Sequence, residues 1–293
     1  MPLMPVITQE TVQQQIWPVI AGLIQATLDE DDRALRKHLV PGEAAAEMLD
    51  LFSSTVFDIL LKTILGREQV ALARAIEVDG GRHVFVEFAW LDPAAGGRNF
   101  TPDDVVAVKV RRHRQGWRIV EVNPSTVEML LTAPRAQTIL AATKALDEKG
   151  ELPAEPWILP LALYSGALQL PLRDGVTQDP VEALLLPGLQ QRGHSVLTLV
   201  AGRWLWREYR KKGEKQELDK PAAWAAAVEF VMSEQAAREV TQAAVGQFYQ
   251  VSLAALLPRV NQIKRTLHIQ GLDERYTTIQ TTHVIVKEEE RGA

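Results

Sequence analysis

Residues 83–91 read HVFVEFAWL. Successive side chains of an extended chain point to opposite faces, so Val84, Val86, Phe88 and Trp90 share one side and His83, Phe85, Glu87 and Ala89 the other. The first set is wholly apolar, which predicts a strand lying with one face on a core. Similar runs surround it: VALARAIEV at 70–78, VVAVKVRR at 105–112 and WRIVEV at 117–122. Turn-forming stretches separate them, namely DGG at 79–81, DPAAGGRNFTPDD at 92–104 and RQG at 114–116. The pattern predicts a four-stranded antiparallel meander.

Upstream the apolar period changes from two to that of a helix. Helices are expected over about 8–29, 31–39 and 43–65. In the third, EAAAEMLDLFSSTVFDILLKTILG, the residues Met48, Leu51, Phe52, Val56, Ile59, Leu60 and Ile64 fall on one side, and Gly66 offers a C-cap. Pro18 should bend the first helix or mark its true start.

Helices first and then a meander closing on GWRIVEV (116–122) resemble the NTF2-like or SnoaL-like α+β cones, over about residues 8–125. The resemblance implies a curved antiparallel sheet wrapped around helices, a pocket at the open end, and either ketosteroid-isomerase-like chemistry or a non-catalytic binding or dimerisation role. The isomerases need an oxyanion tyrosine with pocket acids. No tyrosine precedes Tyr164, so that chemistry does not carry over.

A ligand pocket in this region would draw on Arg74, Asp58, Trp90 and Phe88. By strict alternation Arg74 shares a face with Val70, Leu72, Ile76 and Val78, as a buried cation seeking a carboxylate or an anionic ligand; a strand-end bulge or a snorkelling side chain is the competing reading. Asp58, between Phe57 and Ile59, is either a pocket acid or a solvated helix position. His38, His83 and His113 have no second ligand at metal spacing, and the run Arg111, Arg112, His113, Arg114 fits a solvated strand end. Apolar positions on the other strand face, Phe85, Ala89, Val105 and Ala107, suggest a homodimer through the sheet.

Residues 126–179 read as a connector, with a helix over about 133–148, the proline-rich ELPAEPWILP after it, and a boundary near 150–156. A mainly helical domain is expected over 180–293, ending in a strand or tail. Pro180 can open a helix that stops at Gly193. HSVLTLVAGRWLWREYRKKG (194–213) reads as one amphipathic helix capped by Ser195 and ended by Gly213, in preference to a hairpin.

Within that domain TQAAVGQFYQVSLAALLPRV (241–260) resembles helix-turn-helix modules: Gln242 and Gly246 match the first helix, Val251 and Ser252 the turn, and Leu256 the inward residue of the second helix. Two positions depart from the pattern. Gln250 stands where glycine usually takes the left-handed turn, and Pro258 should kink or restart the second helix. The resemblance implies nucleic-acid contact through Arg203, Arg207, Arg210, Lys211, Lys212, Ser252, Arg259, Lys264 and Arg265, extending towards Lys215. Base readout needs Arg, Lys, Asn or Gln at the start of the second helix, whereas Ser252, Leu253, Ala254 and Ala255 stand there. Phosphate holding without sequence reading, or a protein contact, is what such a surface can do.

Composition sets the outer limits. The 293 residues are 46% hydrophobic and 24% charged, ordinary for two globular domains. A formal charge of -5 is unevenly spread: residues 1–125 hold 13 Lys/Arg against 17 Asp/Glu, and residues 203–268 hold 11 against 7. The absence of cysteine excludes disulfides, thiolate metal sites and a cysteine nucleophile, and no cofactor is expected. Without a basic leader or a long apolar run, a cytoplasmic protein is expected. Three roles fit: a non-catalytic regulator or adaptor with a homodimer, nucleic-acid or protein partner; a ligand-binding cone; and a SnoaL-type enzyme.

Overall fold

Alternation at 83–91 becomes the second strand of a single sheet. The computed structural model describes residues 7–68, 70–91, 102–114, 116–124, 132–213 and 219–278. The turn segment 92–101, residues 126–131, Lys215 and the expected C-terminal strand or tail over 279–293 lie outside the described residues. The chain divides into two compact units, the first reaching Arg173 and the second beginning at Asp174. The fold is mixed α+β, with one antiparallel sheet among the described residues.

In the first unit β1 (Val70–Val78), β2 (His83–Trp90), β3 (Val105–His113) and β4 (Gly116–Pro124) follow one another in sheet order. Val84, Val86 and Phe88 are at most 1% exposed. Opposite them in register come Val110, Val108 and Val106, and Val110 and Val108 in turn face Ile119 and Val122. These residues make one continuous apolar face. Helices α1 (Trp17–Leu28), α2 (Asp32–His38), α3 (Ala44–Phe52), α4 (Thr55–Leu60), α5 (Ala133–Lys149) and α6 (Ile158–Ser165) complete the unit, and all but α5 pack on β4. Trp17 of α1 meets Phe88 with ring centroids 4.9 Å apart. The Tyr164 hydroxyl of α6 donates to the Val122 carbonyl at 2.6 Å and also meets the Asn123 side chain.

Three local departures from the expected pattern matter. Pro18 falls in the first turn of α1, where its missing N–H costs nothing, and a π-helical turn at Val12–Ile16 precedes it. The helix expected over 43–65 is broken at Ser53, whose φ of 59° and ψ of -164° lie in a region that side chains rarely adopt. Asp31 caps α2 through Arg33 and Ala34, and Asp32 of α2 accepts from the Ser54 N–H at 2.9 Å, tying the residue after the break to α2. The third departure is a β-bulge between Leu72 and Arg74. Leu72 faces Phe88, on the core side, but Arg74 faces Glu87 and Ile76 faces Phe85. The extra residue, Ala73, turns Arg74, Ile76 and Val78 onto the opposite face from the one that alternation assigned.

Five helices build the second unit: α7 (Glu182–Gln191), α8 (Val196–Lys212), α9 (Pro221–Gln235), α10 (Gln242–Phe248) and α11 (Leu253–Leu267). Their centre is α9, buried from Ala223 to Ser233 and packed by the other four, as expected of a helix apolar on all sides. Ser195 caps α8 by accepting from the Thr198 N–H, as expected, and α8 runs as one helix. Leu256, Val260, Ile263 and Leu267 form the buried stripe of α11. After it, Tyr276 is 2% exposed, and the Gln235 side chain accepts from the Asp273 N–H and donates to the Gly271 carbonyl, which pins residues 271–278 to α9. No helix among the described residues is long and apolar enough to cross a membrane.

Candidate functional site

The four pocket residues suggested for the first unit do not converge. Arg74 makes a two-pronged ion pair with Glu87 at 2.7 and 2.8 Å, on the face opposite Phe88. It is therefore a cross-strand partner for a nearly buried carboxylate, not a cation in the core. Phe88 belongs to the core face, and Trp90 is half-buried under the Arg67 guanidinium, 4.1 Å from its ring centroid. Asp58 lies in α4 with its side chain 49% exposed and 3.4 Å from Lys62. Of the positions suggested for a dimer contact, Ala89, Ala107 and Val105 are at most 5% exposed within the single chain, and Phe85 is half-buried.

The basic residues of the second unit are mostly engaged inside it. Glu182, 2% exposed at the start of α7, accepts from Arg203 at 3.2 Å and from Arg207 at 2.8 Å, and Arg203 also donates to the Val176 carbonyl. Lys212 pairs with Glu208 at 2.5 Å and Lys264 with Glu234 at 2.6 Å. Arg259 donates to Asp219 at 2.7 Å and lies over the Trp224 ring. Arg203 is only 4% exposed and cannot reach a phosphate. Arg210, Lys211 and Arg265 remain on the surface.

The turn between α10 and α11 has the chemistry its sequence requires. Gln250 takes a left-handed backbone, φ 56°. A Cβ on Gly246 would sit 2.9 Å from the Val251 carbonyl oxygen, so the close approach of the turn to α10 needs glycine there. Ser252 caps α11 through the Ala255 N–H. The second helix does not restart at Pro258: α11 runs as one helix from Leu253 to Leu267 with the proline inside it. Proline removes a backbone donor and crowds the preceding turn. Arg259 Nη1 donates to the Ala255 carbonyl at 2.8 Å, one residue after the Ala254 carbonyl that Pro258 leaves without its helical donor.

Beside this turn lies a groove of about 530 Å³, lined by Leu184 of α7, Pro221, Ala222 and Ala223 of α9, and Val251 and Ala255. Lys220 and Gln250, both in left-handed conformations, form its polar edge. Leu253, next to it in sequence, is 43% exposed, and Leu184 likewise. The start of the second helix is thus flanked by apolar surface.

Sequence reasoning missed the most polar feature of the interior. Glu229 of α9 is 0% exposed, yet it accepts from the Tyr249 hydroxyl at 2.7 Å and from the Arg192 guanidinium, with His194 Nε2 at 3.6 Å. Arg192 also lies over the Phe248 ring, and Arg238 donates to the Arg192 and Gly193 carbonyls. Gly188 leaves room for the Tyr249 hydroxyl. Burial alone would raise the Glu229 carboxyl; the nearby His194 imidazole, the hydrogen bond from Tyr249 and the Arg192 charge outweigh it and hold it below the usual range. Burial lowers His194, and burial with the Glu229 charge raises Tyr249. A single acid inside the apolar run PAAWAAAVEFVM was the available sequence signal.

No group of three or more potential metal-ligating side chains occurs among the described residues. No family model, curated protein or solved structure matches this chain.

Proposed function

We propose that the chain is a non-catalytic regulatory or adaptor protein, in which an NTF2-like first unit is joined to a degenerate helix-turn-helix unit that works through protein contact. The observation that carries this reading is the surface at the start of α11. Leu253, Ala254 and Pro258 are exposed beside an apolar groove, where a reader of bases would place polar side chains. Left-handed Gln250, close-packed Gly246 and the Ser252 cap support the helix-turn-helix description. Helices followed by a four-stranded meander, with Trp17 on Phe88, support the NTF2-like one. Core residues fill the inner sheet face, which favours a binding or assembly role over a cone enzyme.

Nucleic-acid contact is the second reading, favoured by the exposed Arg210, Lys211 and Arg265. If each neutralises one phosphate, the logarithm of affinity falls against the logarithm of salt with a slope of about -3, and binding stays in the non-specific range of about 1–100 µM. Fluorescence anisotropy with two unrelated duplexes tests both readings, together with a photo-crosslinking residue at Leu253. A crosslinked protein partner that is lost in Leu184→Asp supports the first. Discrimination between duplexes above about a hundredfold, lost on changing residues 252–255, refutes it.

A further inference from the structure

The first unit carries a second cleft, of about 480 Å³, which the protein-contact reading does not use. It opens between the C-terminal end of α1, α4 with the residues after it, and the segment leading into α6. Leu28, Leu65, Leu152, Pro156 and Leu159 supply apolar walls. Two of these are unusually open to water, Leu28 at 49% and Leu152 at 68%. Asp58, Lys62 and Arg67 line the same cleft. Two cations against one carboxylate leave a net positive edge beside an apolar wall.

The two cations are available in different ways. Lys62 holds Asp58 only at 3.4 Å, with both side chains partly in water, so its ammonium can exchange that partner for another anion at little cost. Arg67 is exposed and has no carboxylate partner among the described residues. Trp90 covers one face of its guanidinium, which fixes the plane and leaves the edge N–H groups to address a carboxylate two at a time. The volume falls within the range of small-molecule clefts, about 300–1,000 Å³.

We infer that this cleft binds a small amphipathic carboxylate, its alkyl or aryl body on the leucines and its carboxylate held by Lys62 and Arg67. The site lies outside the sheet's inner face, which Val84, Val86 and Phe88 fill, and residues 152–159 form part of it. The inference stands apart from any role of the second unit.

Isothermal titration of the full chain with sodium decanoate, below its micelle concentration, is the test. Saturable 1:1 binding is expected, with decanol at least about tenfold weaker and decylammonium not binding, because only the carboxylate meets both cations. Lys62→Ala with Arg67→Ala should weaken decanoate about tenfold or more, and Leu152→Asp should do the same by removing exposed apolar wall, with unchanged circular dichroism in both. No saturation below about 1 mM overturns the inference, as does equal affinity in the double variant. Decyl phosphate binding more than about tenfold tighter than decanoate reassigns the headgroup. Co-sedimentation with phosphatidylglycerol vesicles that Leu152→Asp abolishes, without binding of free decanoate, replaces the ligand by a membrane surface.

Discussion

Replacing Tyr249 by phenylalanine removes one oxygen from the interior, and the structure fixes what that costs. The hydroxyl donates at 2.7 Å to Glu229 Oε2, a carboxylate that is 0% exposed. A hydrogen bond to a charged group contributes about 1.5–3 kcal/mol, and losing it leaves a buried oxygen short of a donor. Arg192 still balances the charge, so the carboxylate stays ionised and the loss should fall near the middle of that range, about 2 kcal/mol. Urea unfolding followed by tryptophan fluorescence reads both units, Trp204, Trp206 and Trp224 reporting on the second and Trp17, Trp90, Trp117 and Trp157 on the first, so the loss is expected only in the transition of the second. The same change made in Glu229→Gln completes a double-mutant cycle. Coupling of at least about 1 kcal/mol is expected, as for residues sharing one network. Strictly additive losses, or a Tyr249→Phe variant within about 0.5 kcal/mol of the parent, would refute the claim that this hydroxyl serves the buried carboxylate.

Other outcomes follow from the same unit. His194 is lowered by burial, so the unfolded chain binds the extra proton first; stability should fall as pH drops through about 6.5, and His194→Gln should flatten that slope in thermal melts between pH 7 and 5. Glu229, held low, adds a loss only at more acidic pH, below its usual value of about 4.5. Gly246→Ala should cost about 1–3 kcal/mol, measured by denaturation, because its Cβ meets the Val251 carbonyl oxygen, a backbone atom. Pro258→Ala should raise the melting temperature, since the position is exposed inside a continuous helix and alanine restores an N–H for the Ala254 carbonyl; an unchanged or lower value would refute this.

Periodic signals and three-residue caps were legible in the sequence; the bulge, the helix break and the long-range pairings were not. The alternation of Val84, Val86 and Phe88 located the sheet's core face because burial of one face repeats every second residue. Ser195 and Ser252 could be recognised as caps because capping depends on a side chain and a backbone N–H only three residues apart. Strict alternation misplaces Arg74 because one bulged residue reverses every later face; a bulge is the competing reading, but nothing in VALARAIEV marks Ala73 as the extra residue. Ser53 breaks its helix without glycine or proline, and the residue after it is tied to an aspartate 22 positions earlier. The Glu229 cluster joins side chains from Arg192 to Tyr249, so only the tertiary fold brings them together. For the same reason the basic stretch from 203 to 265 looked like an open cationic surface: the carboxylates that hold Arg203, Arg207 and Lys264 lie on other helices.

The bulge at Ala73 also bears on solubility. β1 is the last strand of its side of the sheet, nine residues long and rich in valine, isoleucine and leucine. Such an edge is a template on which a second chain can add its own strand. An irregular register halfway along, followed at once by a charged arginine and then by Glu77, interrupts that template after three residues on one side and leaves five on the other. Deleting Ala73 would restore a regular ladder with Arg74 still opposite Glu87, so the same single residue that misleads the eye keeps the edge from offering a regular template to its neighbours in a crowded solution.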